Sequence, residues 1–291
     1  MHVPVLLHES IEYLNVRPGG VYIDATVGAG GHAEAILERL AEGRLLGVDR
    51  DPSAIVQSSQ RLQAFGEKVM LRRGNFSDIA ALHAASGLPL ADGLLADFGM
   101  SSWQLEDAAR GFSFDHCGPL DMRMDPSSPT TAAEIVNQSR ENDLADLIFQ
   151  LGEERHSRRI ARAIMKARPI DTTTELAQVV SRAIPSRAGF HHLHPATRTF
   201  MALRLAVNEE LENIERFLST ALPVLAPAGR LVVLSFHSLE DRLVKRALVR
   251  WRQEERVRIL TRKVVRPSQE ETRANPRSRS ARLRAAEKLA A

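Results

Sequence analysis

A strand, a glycine-rich turn and a helix, in immediate succession, limit this chain more than any other feature. Residues 21–27, VYIDATV, are β-branched and apolar, which favours an extended, buried segment. They run into Gly28-Ala29-Gly30-Gly31. Ala33, Ile36, Leu37 and Leu40 then recur on one helical face, and Gly43 stops the helix. A second apolar strand, 44–48, ends at Asp49. Such a turn lies at the carboxyl edge of a parallel sheet, where open α/β folds bind ligands, and glycine lets the backbone approach a ligand closely. Asp49 stands where a carboxylate can accept both ribose hydroxyls of an adenosine. Gly28, Gly30 and Ala33 also fit the G-x-G-x-x-G/A dinucleotide pattern, so a nicotinamide oxidoreductase stays open on the loop alone. Asp24, four residues before the first glycine, favours S-adenosylmethionine. It can meet the methionine ammonium, whereas a pyrophosphate would suffer from the extra negative charge.

The alternation continues. A helix is predicted from about Pro52 to Phe65, and strands at 68–72 and 92–97. Residues 100–130, rich in Gly, Pro, Ser and Asp, read as loop, and 131–184 as helices without a strand signal. Then come a helix at Glu209–Leu225, a strand at 230–236 and a helix at Leu239–Trp251, with last strands within 256–265 and 279–286. The pattern predicts a Rossmann-like, doubly wound, mainly parallel α/β sheet. It is assigned to 1–104 and 201–291, with an inserted helical domain at 105–200.

Composition narrows the classes. A single cysteine, Cys117, excludes an intrachain disulfide and a cysteine metal cluster. No apolar run approaches the roughly 18 residues of a membrane span, and MHVPVLLHES has no secretory pattern. The expectation is a soluble protein of a reducing compartment. From Arg242 to Lys288 there are 16 Lys and Arg against 5 Asp and Glu, although the whole chain is only +3. That asymmetry points to a polyanion partner or to a solvated basic tail.

Several segments are more specific: HVPVLLHE at 2–9, SSWQL at 101–105, RGFSF at 110–114, GPLDMRMD at 118–125, GEER at 152–155, HPATRTF at 194–200, VNEEL at 207–211, SFHSLEDRLVKR at 235–246 and NPRSRSARLR at 275–284. In this order they resemble the RsmH (MraW) family of bacterial ribosomal RNA methyltransferases, from His2 to about Lys288. The resemblance implies a class I methyltransferase that uses S-adenosylmethionine. Its product is methylated at the exocyclic N4 of a cytosine in the decoding region of small-subunit ribosomal RNA. It implies a cytoplasmic enzyme acting on an assembled or partly assembled subunit, away from membranes, and leaves a homodimer open. Carried onto the matching motifs, it assigns Gly30, Gly31, His32, Asp49, Phe76, Asp97 and Gln104 to the cofactor. Arg123, His194, Arg198 and Arg279, which lie in these segments, are candidates for binding the substrate. Phe98, Met100 and Met201 depart from the family pattern, which concerns the substrate pocket more than the cofactor.

An exocyclic amine is a poor nucleophile because its lone pair is delocalised into the ring. It needs placement and a proton acceptor rather than a covalent intermediate. Asp97, ending a strand beside the glycine loop, is a candidate acceptor, or an acid that orients the cofactor. Asp97-Phe98-Gly99-Met100 lacks the two prolines common in amino-methyltransferases. His237, at the end of the fifth strand, can contact the target or cap the next helix. Cys117 reads as an ordinary residue rather than a ring-carbon nucleophile. His191, His192 and His194 lack the acids or thiols of a metal site. The Arg158, Arg159 and Arg162 run fits a solvated face or an RNA face. A non-catalytic RNA-binding assembly factor is a further alternative.

Overall fold

The computed structural model describes residues 4–184 and 194–290, apart from the Ser102 side chain. Seven strands form one sheet: β1 (Val21–Asp24), β2 (Arg44–Asp49), β3 (Val69–Arg73), β4 (Ala91–Asp97), β5 (Leu225–Ser235), β6 (Val257–Ile259) and β7 (Arg282–Lys288). Their order is β3-β2-β1-β4-β5-β7-β6. The first five are parallel, and β7 runs antiparallel to both β5 and β6. This is the expected Rossmann-like, doubly wound sheet. The strand order reverses between β1 and β4, and that switch point is where such sheets open a crevice.

Apolar alternation along the strands builds two cores, one per face. Ile23, Leu46, Leu94, Leu231 and Val233 pack with Phe217, Leu248 and Trp251 on one face. Tyr22, Leu45, Leu95, Val232 and Leu234 pack with Ala33, Ile36 and Leu37 on the other. Because both faces are covered, the central strands read as continuous apolar runs.

Two compact units emerge, Met1–Gly99 with Leu211–Ala291, and Met100–Glu210. The second unit is helical: Ala132–Gln138, Glu141–Gly152, Ser157–Ala167, Thr173–Ala183 and Thr197–Val207. Its boundaries lie outside the 105–200 of the sequence reading. Phe200, Leu203 and Val207 bury with Leu144, Ile148 and Ile160, which holds the helix Thr197–Val207 in this unit. The segment 100–130, expected as loop, contains a short helix, Ser102–Glu106, closed by a Ser101–Gln104 capping box. An N-terminal helix, Leu7–Leu14, is also present, outside the elements expected from the sequence. The helix expected over Glu209–Leu225 ends at Thr220, and β5 starts at Leu225, ahead of the strand expected at 230–236, and runs through Pro227 and Gly229. Its pairing with β4 shifts register between Ala91 and Gly93, so the irregular stretch is absorbed as a bulge.

Candidate active site at the carboxyl edge of the sheet

Three carboxylates close three adjacent strands: Asp49 on β2, Asp24 on β1 and Asp97 on β4. The backbone ties these ends together. Asp97 N–H donates to Thr26 Oγ1 at 2.7 Å, and the Val27 amide to the Val48 carbonyl at 2.8 Å. Gly28 and Gly30 take φ of +51° and +83°, a left-handed conformation that side chains with a Cβ resist. Gly28 N–H then reaches Asp49 Oδ2 at 2.9 Å, and Asp51 N–H reaches Oδ1 at 2.9 Å. Asp49 is thereby aimed by two amides and keeps one lone pair on each oxygen for a ligand.

Asp24 and Asp97 are less well served. Asp24 is 1% exposed. Its Oδ1 accepts Thr26 N–H at 3.2 Å, while Oδ2 is buried with no hydrogen-bond partner. Burial pushes its carboxyl up to about 7, the Thr26 amide opposes this, and the Asp49 charge adds to it. The Asp97 side chain is 26% exposed, but its Oδ1 is buried and lacks a partner. Desolvation, then the charges of Asp24 and Glu240, push its carboxyl up to about 8. Burial also raises Asp49, against the two amides that stabilise its charged form. Buried carboxyls with raised proton affinity tend to cluster at functional sites.

His32, buried behind the glycine turn, donates from Nε2 to the Val5 carbonyl at 3.2 Å, and its Nδ1 lies 3.9 Å from Asp97 Oδ2. Gly31 packs so tightly that a Cβ there would collide with the Pro4 ring. Phe76 follows β3 and forms a three-ring cluster with Phe98 and Phe217, at centroid separations of 5.3 and 5.7 Å. His237 occupies the N-cap position of the helix Ser238–Gln253. Its Nε2 lies 3.0 Å from Glu240 Oε1, and its side chain is 10% exposed. Glu240 Oε2 accepts Phe236 N–H at 2.7 Å and His237 N–H at 3.3 Å. Nothing in the sequence reading singled out Thr26 or Glu240. A Glu at the third position of a helix is a visible capping signal, and SFHSLE carries it.

The remaining predicted residues lie in the helical unit, except Arg279. Gln104 Oε1 accepts Ser101 N–H at 2.9 Å, within its own capping box. Arg123 grips Asp121 at 2.9 and 2.7 Å and donates to the carbonyls of Pro126 and Ser128 at 2.9 and 2.8 Å. Its guanidinium therefore fastens the 121–128 loop. His194 stacks on Phe114 at 4.5 Å, and its Nδ1 accepts Ala196 N–H at 3.2 Å. Arg198 donates to the Glu153 carbonyl at 3.2 Å and lies 3.7 Å from Glu154. Arg158, Arg159 and Arg162 are exposed on the helix Ser157–Ala167. Arg279 is exposed in the turn Pro276–Ser280. Cys117 is free and exposed. His191 and His192 lie outside the described residues. Among the described residues no group of three His, Cys, Asp or Glu could hold a metal ion, and no helix is long and apolar enough to cross a membrane.

The model of the MraW methylase family matches residues 1–289. The chain is 52% identical over 306 residues to the ribosomal RNA small subunit methyltransferase H of Syntrophobacter fumaroxidans, covering 99% of this chain and 96% of that protein. The protein of the same name from Acidobacterium capsulatum is 53% identical over 295 residues, covering 99% and 98%. That from Symbiobacterium thermophilum is 49% identical over 309 residues, covering 100% and 97%.

Proposed function

The chain belongs to the MraW methylase family, and from that premise we propose that it methylates the exocyclic N4 of a cytosine in the decoding region of small-subunit ribosomal RNA, with S-adenosylmethionine as methyl donor. The nicotinamide and non-catalytic alternatives lapse with the family assignment. The observation that carries the chemistry is the carboxylate trio at the switch point. Two of its buried oxygens, Asp24 Oδ2 and Asp97 Oδ1, have no partner. A donor bearing an ammonium, a sulfonium and two ribose hydroxyls answers these acceptors.

Asp49 takes the ribose hydroxyls on its unused lone pairs. Asp24 receives the ammonium. The glycine turn supplies close backbone, and Phe76 supplies an aromatic wall for the adenine. When bound, S-adenosylmethionine supplies an electrophilic methyl group. Asp97 holds one N–H of the target amine, which aims the nitrogen lone pair away from that bond. After the N–C bond forms, N4 must shed one proton, and a carboxylate whose affinity for protons is raised by burial and neighbouring charge is suited to take it. His237 supports the same edge from the end of β5, oriented by Glu240. The helical unit, with the exposed Arg158, Arg159 and Arg162, serves substrate recognition. The working context is a cytoplasmic, partly assembled small subunit.

The test is methyl transfer by the full-length protein to small-subunit ribosomal RNA and to subunits lacking the modification. Mass mapping should locate one N4-methylcytosine. A methyl group on a ring carbon, or none on either substrate, would overturn the reading.

A further inference from the structure

Arg282 opens β7 and is paired in register with Ser235, the last residue of β5. Asp97 is level with Leu234, and Leu234 with Leu283. Arg282 therefore stands one residue beyond the level of Asp97, toward the ligand-binding edge. β5 separates β4 from β7, so the lateral distance is two strand spacings, roughly 10 Å. That is comparable to the reach from a pyrimidine's amino edge to the sugar–phosphate backbone.

Strand alternation puts Arg282 and Arg284 on one face, with Leu283 and Ala285 buried on the other. The two arginines meet different fates. Arg284 forms a bidentate pair with Asp241, at 2.6 and 3.1 Å. Arg282 Nη1 is buried and has no hydrogen-bond partner. A guanidinium keeps its charge at any working pH, and a buried N–H without an acceptor is costly. Two carboxylates of the helix Ser238–Gln253 carry contacts of their own. Asp241 holds Arg284, and Glu240 accepts the Phe236 and His237 amides. The turn just before β7 adds exposed Arg277 and Arg279. Among the described residues Arg282 Nη1 thus has no acceptor, and an anion brought to this edge would supply one.

We propose that Arg282 is a phosphate-binding residue that grips the RNA backbone beside the target cytidine, while the Arg284–Asp241 pair fastens β7 to the helix Ser238–Gln253. The assignment rests on the RNA reading given above. Guanidinium and phosphate are matched for paired N–H···O bonds, and such contacts fix register without reading sequence.

The experiment compares Arg282→Gln and Arg284→Gln in the full-length protein. A small-subunit ribosomal RNA transcript and subunits lacking the modification serve as probes. Arg282→Gln should weaken RNA binding about tenfold or more, and the slope of log affinity against log salt should fall by about 0.7–0.9. Its melting temperature and its calorimetric affinity for S-adenosylhomocysteine should match the parent. Arg284→Gln should lower the melting temperature and leave the salt slope unchanged. Parental affinity and slope in Arg282→Gln would overturn the assignment, as would a loss of stability or cofactor affinity with an unchanged slope. If the parent neither binds nor methylates either probe, the RNA reading itself fails and this assignment falls with it.

Discussion

Asp24 and Asp49 end neighbouring strands yet differ in what holds them. Asp49 accepts one backbone amide on each oxygen, whereas Asp24 has a buried oxygen with no partner. Asp49→Ala removes the ribose acceptors and strands the Gly28 and Asp51 amides. Cofactor affinity should fall by about 2–4 kcal/mol, on the scale of two hydrogen bonds to a charged group. Titration calorimetry with S-adenosylmethionine checks this, and unchanged affinity would refute the role. Cys117→Ser should keep activity within a few fold, because direct attack by an amine needs no thiolate; a folded but inactive variant would reinstate a covalent route. Both carboxylates were legible in the sequence because their strands end visibly before turn residues. Arg123 was not. Its motif is recognisable, but only the folded loop shows its guanidinium turned onto Asp121 and two carbonyls.

Among the elements, the buried strands were the most legible, since unbroken apolar runs such as RLLGV and RLVVLS belong to strands covered on both faces. Short helices were the least. LHESIEYL gives only two turns of pattern, and Ser102–Glu106 lies among loop-forming residues. In both, tertiary packing and capping outweigh propensity. The helix Ser238–Gln253 shows capping at work. Glu240, fully buried, accepts the Phe236 and His237 amides where β5 turns into the helix. Glu240→Ala leaves both donors without acceptors and should cost about 2–4 kcal/mol of stability. Glu240→Gln keeps an acceptor and should cost much less, while removing one of the charges that raise Asp97. Its pH–rate profile should therefore shift toward lower pH. A melting temperature for Glu240→Ala equal to the parent's would show that the cap contributes nothing.

For the molecule as a whole, the carboxylate trio links pH, stability and cofactor binding. Asp24 and Asp97 have folded-state values near 7 and 8, above the ordinary carboxylate value of 3.8. The fold therefore disfavours their ionised forms. The stability they contribute is present in full below about pH 4 and is lost as pH rises through 7 and 8. Other carboxylates act in the opposite direction at low pH; Asp121, for example, is held below its ordinary value chiefly by its hydrogen bond to Arg123, against burial. Between pH 6 and 8.5 histidines titrate as well, so the trio's share of the slope is the difference between the parent and a variant in which one of its acids cannot ionise. A cofactor that brings positive charge to the ionised forms reverses the penalty. The ligand-free protein should lose stability across that interval, and the gain in melting temperature from saturating S-adenosylmethionine should grow across it. Asp24→Asn keeps the shape and cannot ionise, so it should flatten the pH slope of the ligand-free protein and lessen the growth of the ligand effect. Calorimetric melting of parent and variant at pH 6, 7 and 8.5, each with and without S-adenosylmethionine, measures both. Parallel curves for parent and variant would mean that the trio is not the charged heart of this site.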